Sequence, residues 1–190
     1  MRLGGLYPTI AISDAFNVAA HAYAAHLASS AGNLPAMLGF LTVCAAGTVG
    51  TARFAFDENL ADLNSDLADV AAFVGLPLVG SSFFRGVMAD KFEVYSFVVL
   101  LVMVEALTRT FGKELRDLSK VFTNLLFFVG PVAQANYFSQ DWVPLLGITI
   151  FALAGIVITA DRERYLFGVR RENLFHYAIG SAAVLIAMGL

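Results

Sequence analysis

Apolar residues recur along this chain in seven long runs separated by short charged stretches. The runs are Tyr7–Ala28, Pro35–Ala52, Leu67–Phe84, Val94–Thr108, Val121–Phe138, Val143–Ala160 and Leu174–Leu190. A helix needs about 20 such residues to cross roughly 30 Å of hydrocarbon. All seven meet or approach that length, the fourth only when Phe92 and Phe111 are included. An isolated strand would leave backbone groups unsatisfied in lipid, so every run is expected to be a helix. The expectation is an all-α polytopic membrane bundle of seven transmembrane helices, a single domain over residues 1–190.

The first run departs from the rule that the others obey. Asp14, Asn17, His21 and His26 lie inside it. At 100° per residue Asp14, Asn17 and His21 share one face, continued by Ala25 and Ala28, while His26 points elsewhere. A carboxylate and an imidazole are costly in hydrocarbon unless they face protein or water, so this face should turn inward. His26, near the far interface, is expected to snorkel.

Charge sets the expected orientation. Nearly all charged residues fall in four patches: Arg53–Asp69, Arg85–Glu93, Glu105–Lys120 and Asp161–Glu172. With a cytoplasmic N-terminus, that side receives Arg2, Arg53, Arg109, Lys113, Arg116, Lys120, Arg162, Arg164, Arg170 and Arg171. The opposite side receives Arg85 and Lys91, a strong bias of the kind seen in cytoplasmic loops. Phe83, Phe84, Phe92, Tyr95, Tyr137, Phe138 and Trp142 would then anchor the far interface. Asp62, Asp66 and Asp69 share a helical face, so the third helix should begin before the membrane does, its acidic start favoured by the helix dipole. Gly75, Pro77 and Gly80 predict a kink in that helix. Gly39, Ala46 and Gly50 predict close helix packing on one face of the second.

Composition agrees: 58% of residues are hydrophobic, 14% are charged and mean hydropathy is +0.73, outside the soluble range. The net charge of −3 and the lack of a basic, aromatic-studded stripe argue against a nucleic-acid partner. The single cysteine, Cys44, excludes an intramolecular disulfide. The three histidines are not spaced as metal ligands, and neither a nucleophile elbow nor a phosphate-binding glycine loop occurs. No metal or cofactor is expected. The N-terminal run is too interrupted for a cleavable signal and is read as a retained span.

An internal echo links two runs. LGFLTVCAAGTVGTA from Leu38 to Ala52 lies over LGITIFALAGIVITA from Leu146 to Ala160, and Asp66–Asp69 loosely parallels Asn173–His176. The first and fifth runs show no comparable match. A parallel 3+1+3 repeat around a linking fourth helix would produce such an echo, as would chance in runs rich in Ala, Gly and Leu.

The chain also resembles the vertebrate transmembrane protein 276 family of small multi-pass proteins. Gly75-Leu76-Pro77-Leu78, Asn136-Tyr137, Trp142, Leu146-Gly147, Ala154-Gly155, Asp161-Arg162 and Ala178-Ile179-Gly180-Ser181 carry the resemblance, scattered over the last two-thirds of the chain. Asp14, His21 and His176 have no counterpart in it, and it implies no reaction or ligand.

Candidate chemistry gathers at one depth. Asp14, Asn17 and His21, with Asp69, Asn124 and His176, are expected to line a polar cavity open to the cytoplasm. Asp14 and His21 would relay protons or bind a cationic solute, and Asp69 and His176 would form a carboxylate–imidazole pair. Glu105 precedes Arg109 by four residues, the spacing of an interfacial helix salt bridge. Asn124 is equally readable as a helix–helix hydrogen-bonding residue. The favoured function is a small-solute or proton-coupled transporter or channel-like protein. The alternatives are a membrane-embedded lipid hydrolase or transferase using Asp69 and His176, and a non-catalytic scaffold in which Asp14 meets a partner's cation. Expected partners are the lipid bilayer and a small solute or a second membrane protein.

Overall fold

The fold is taken from a computed structural model, which describes residues 7–83, 91–158, 165, 166 and 168–190, and the side chains of these except at 91–95, 113, 157 and 158. Arg2, Phe84, Arg85, Asp161, Arg162 and Arg164 lie outside the described residues, as do the side chains of Lys91, Phe92, Tyr95 and Lys113.

Seven helices account for nearly all of what is described. Helix α1 is Pro8–Ser30 and α2 is Leu34–Ala55. Helix α3 runs over Glu58–Ser81, α4 over Lys91–Thr108, and α5 joins Lys113–Asn124, Leu125–Val129 and Gly130–Ser139. Helix α6 joins Trp142–Leu153 to Ala154–Ile158, and α7 is Arg171–Ala187. A two-residue antiparallel ribbon, β1 (Tyr165–Leu166) with β2 (Val169–Arg170), precedes α7.

The starts follow local chemistry. Asn33 accepts from Ala36 N–H and Pro35 sits in the first turn of α2. Asp57 accepts from Asn59 N–H and Asp141 from Val143 N–H, which begins α3 and α6. Because Asp57 caps a polar first turn, α3 begins well before the apolar run at Leu67, and α5 likewise begins at Lys113, ahead of Val121. Gln140, at φ 58°, turns the chain between α5 and α6, and Gly32, at φ 70°, turns it between α1 and α2.

Three helices contain a wide π-turn: Ala71–Gly75 in α3, Leu125–Val129 in α5 and Ala154–Ile158 in α6. In the first two a proline follows directly, Pro77 and Pro131. Proline has no N–H and its ring collides with the carbonyl four residues back, so the turn before it widens. Leu76 N–H then bonds Ala71 O and Gly130 N–H bonds Leu125 O. This is how the chain accommodates the residues that predicted a kink.

Six helices close a ring in the order α1, α2, α3, α5, α6, α7 and back to α1, while α4 packs outside it against α3. Glycines set several of these contacts. A Cβ on Gly39 would stand 2.5 Å from Gly75 O and 2.7 Å from Val79 Cγ2 of α3. A Cβ on Gly147 would stand 2.9 Å from Ala182 O and 3.0 Å from Ile186 Cγ1 of α7. Gly80 lies against the Phe127 carbonyl and the Phe128 backbone of α5, and Gly180 against Asn17 and Ala20 of α1.

One end of the ring is sealed. Ala24, Ala25, Ala28, Ala36, Phe40, Val79, Phe128, Val132, Ile148, Ala183, Ile186 and Ala187 form a continuous apolar cluster there. Phe83 belongs to it at 8% exposure, which corrects its assignment as an interface anchor: the helix end turns its ring inward onto the bundle. Tyr137, Phe138 and Trp142 are exposed.

Among the described residues three helices are long and apolar enough to cross a membrane, Leu34–Ala55, Glu58–Ser81 and Glu114–Ser139, while the apolar helical stretches Ser96–Thr108 and Trp142–Ile156 are shorter. Helix α1 has 23 residues but carries its four polar interruptions, and α7 has 17.

Candidate functional site

At the end opposite the apolar seal, the N-terminal halves of α1, α3 and α7 and the C-terminal half of α2 surround a cavity of about 340 Å³. Lys120 of α5 and Phe151 of α6 complete its wall, so all six ring helices contribute. Ala68, at its edge, is exposed. Val43, Leu76, Phe151 and Ile179 give the wall apolar surface, and the polar groups are concentrated on α1, α3 and α7.

Helix α1 presents Asp14, Asn17 and His21, one turn apart and each at most 4% exposed. Their common face follows from the 3.6-residue period, and Gly47 and Gly50 of α2 make room for it. A Cβ on Gly50 would collide with Asp14 Oδ2, and one on Gly47 would stand 3.4 Å from Asp14 Oδ1 and 3.5 Å from Asn17 Nδ2. His21 Nδ1 lies 2.9 Å from the Asn17 carbonyl. A carbonyl can only accept, so Nδ1 carries the proton and Nε2 of the neutral ring is an acceptor. Asn17 Oδ1 is buried with no partner in the protein.

His176 lines the same cavity and faces α1. Its Nδ1 is 3.1 Å from Ser13 Oγ and its Nε2 is 3.9 Å from Asp14 Oδ1. Asp69, expected to pair with His176, is instead held by α5: Arg116 Nη2 and Lys120 Nζ each lie 2.6 Å from it. That carboxylate is held by two cationic side chains, and His176 has Asp14 beside it instead. Ser13, His176 and Asp14 touch in the order of a nucleophile, base and acid. Yet Ser13 is fully buried, donates to Ile10 O at 2.9 Å and is outside the cavity wall, so no solute can reach its oxygen.

The ion pairs extend outward from Asp69. Arg116 also reaches Glu105 at 3.0 Å, Glu105 accepts from Arg109 Nε at 2.7 Å, and Arg109 reaches Asp66 at 3.0 Å. The predicted i,i+4 pair of Glu105 and Arg109 is thus one link in a chain that ties α3, α4 and α5 together. The hydrogen bond that Arg109 donates to Glu105, with Asp66 close by, raises the Arg109 pKa above its ordinary value. Asn124 is placed differently from the expectation: its amide folds back to donate to Lys120 O at 2.9 Å in its own helix, and it is not part of the cavity wall. His26 is exposed on the far side of α1. Sequence reasoning missed Ser13, Lys120, Arg53 and Glu172 around the cavity. Of these only Lys120 carried a signal, since it recurs on the polar face of an amphipathic turn with Arg116 and Lys113.

Among the described residues no group of three or more His, Cys, Asp or Glu side chains could hold a metal ion. No family model, curated protein or solved structure matches the chain.

Proposed function

We propose that the protein is an integral multi-pass membrane protein that moves a small solute, or protons, through the cavity between α1, α2, α3 and α7. The observation that carries this reading is convergence: Asp14, Asn17, His21, Asp69 and His176, distant in sequence, line one cavity in a ring of apolar helices. Ionisable groups on helices of this apolarity are retained where they meet a solute pathway or each other. Exposed apolar side chains around the outside, among them Val99, Met103, Leu126, Leu146 and Ile156, suit contact with lipid.

In this reading the chain crosses seven times with a cytoplasmic N-terminus. Arg53, Arg109, Arg116, Lys120, Arg170 and Arg171 then gather on the cytoplasmic side with the mouth of the cavity. A parallel 3+1+3 repeat belongs to the same proposal. The register that sets Leu38 on Leu146 sets Gly39 on Gly147, and the register that sets Asp66 on Asn173 sets Gly75 on Ala182 and Val79 on Ile186. Both glycines therefore meet corresponding atoms of the following helix. The second register also sets Asp69 on His176 and Ser13 on Lys120, so the α3–α5 contact Asp69–Lys120 corresponds to the α7–α1 contact His176–Ser13. Membership of the transmembrane protein 276 family is part of the proposal and adds no ligand to it.

The test is flux. Purified protein in proteoliposomes is challenged with gradients of small solutes and of protons, for wild type, Asp14→Asn and His21→Ala. Flux or charge movement that depends on both side chains supports the reading, and transport unchanged in both variants overturns it.

A further inference from the structure

We propose that the occupant of the cavity is a small protonated amine, bound through its N–H groups by Asp14 and Asn17. This rests on the cavity being the solute site described above and adds what the solute must look like.

The inference comes from counting hydrogen-bonding roles on the wall. The open positions on α1 are acceptors: the Asp14 carboxylate, Asn17 Oδ1 with no partner, and the His21 Nε2 lone pair left when Nδ1 bonds the Asn17 carbonyl. Asn17 turns its nitrogen toward the side where Asp14 lies, next to Gly47, which is the only favourable sense for an amide beside a carboxylate. Two of the donors nearby are engaged. Lys120 lies 2.6 Å from Asp69 and 3.1 Å from Asp117. His21 spends its proton on Asn17 O. Arg53 lies on the α2 side of the wall, stacked 4.8 Å from the centre of the Phe54 ring, and Glu172 lies on the α7 side.

Asp14 and Asn17, one turn apart, offer one nitrogen two acceptors, one of them charged, and His21 Nε2 is left for a further donor of the solute. A primary ammonium supplies three N–H donors and a positive charge. A carboxylate or phosphate would face Asp14 and two lone pairs with no free donor among them. The apolar side chains of Val43, Leu76, Phe151 and Ile179 offer surface for a short hydrocarbon or aromatic substituent, and about 340 Å³ lies at the low end of the range of small-ligand pockets.

The experiment uses the detergent-purified full chain and four probes: propylammonium, tetramethylammonium, propionate and n-propanol. Binding is read as a concentration-dependent rise in melting temperature, with flux of the same probes measured in proteoliposomes. Propylammonium is expected to bind, tetramethylammonium to bind at least tenfold more weakly because it has no N–H, and the other two to leave the melting curve unchanged. Asp14→Asn and Asn17→Leu should each weaken propylammonium binding roughly tenfold or more, the cost of losing a charged or buried hydrogen-bond acceptor. Asn17→Leu keeps the test valid should Asp14→Asn fail to fold. Binding of propionate or propanol in place of propylammonium overturns the inference but leaves a solute site. Absence of binding by all four, with proton flux still lost in Asp14→Asn, overturns it in favour of a proton pathway. Absence of binding together with flux indifferent to Asp14 overturns both readings.

Discussion

Replacing Gly80 with alanine tests the α3–α5 contact that closes one side of the ring. The new Cβ would collide with the Phe127 carbonyl and stand 2.6 Å from Phe128 Cα and 2.7 Å from Phe127 C. These are backbone atoms and cannot rotate away. Restoring an ordinary contact of about 3.5 Å with that carbonyl requires the helices to part by more than an ångström, at which the facing atoms lose roughly half or more of their dispersion energy. The side chains affected include Val79, Phe128 and Val132, all essentially buried. Overpacking a tight site typically costs about 1–3 kcal/mol, and a clash with backbone belongs at the upper end. For a chain of this size about 3 kcal/mol corresponds to a fall of about 6–12 °C in Tm. Gly112→Ala is the matched control: its φ of −61° and ψ of 155° suit alanine and nothing lies within 4 Å of the added carbon. Thermal unfolding in detergent, followed by intrinsic fluorescence, separates the two. If Gly80→Ala melts with the control, the helices do not approach as described.

Other outcomes follow from the same geometry. Gly50→Ala would push a methyl group into Asp14 Oδ2, so amine binding should weaken about tenfold or more while the helical content seen by circular dichroism is kept; unchanged affinity would remove Asp14 from the site. Gly39→Ala and Gly147→Ala should each lower stability by about 1–3 kcal/mol, the second less because its contacts are looser, and a neutral effect at one position alone would break the proposed correspondence. Asp69→Ala takes from Arg116 and Lys120, which are 20% and 26% exposed, the shorter of their two carboxylate contacts, leaving Glu105 and Asp117, and should cost about 1–3 kcal/mol after allowance for solvent screening. Asp66→Ala, at an exposed pair, should change the melting point little, and equal effects at the two sites would contradict the described burial. Tags at the two termini should be accessible from opposite sides of sealed vesicles; accessibility from one side would remove the seven-crossing topology.

Much of the site was legible in periodicity. Asp14, Asn17 and His21 fall on one face by helical spacing alone, and the similar depth of Asp69 and His176 brought them to the same cavity. What escaped depended on competition between partners. Asp69 is claimed by Arg116 and Lys120 because α5 begins two turns before its apolar run and places those bases against α3. A sequence in which basic residues normally face water gives no sign of that. Asn124 turned back on its own helix because an amide in the first apolar turns finds a nearby carbonyl more easily than one across the bundle. Pro77 marked an irregular turn in α3, but none was expected in α5, despite Pro131, or at Ala154–Ile158, which has no proline to announce it. The cyclic order of the helices leaves no trace in local pattern, since each apolar face fits many neighbours.

The seal at the closed end is made largely of alanine where α1 meets its two neighbours: Ala24, Ala25 and Ala28 against Ala36 on one flank and Ala183 and Ala187 on the other. Alanine has no rotamer to change, so two such surfaces glide past each other without any side chain crossing a torsional barrier. The bulky members, Phe40, Phe128 and Ile186, are carried by α2, α5 and α7 rather than by α1. Under the proposed transport function, passage to the far side would call for α1 to shift as a smooth rod along these two seams while the aromatic wedges stay with the walls.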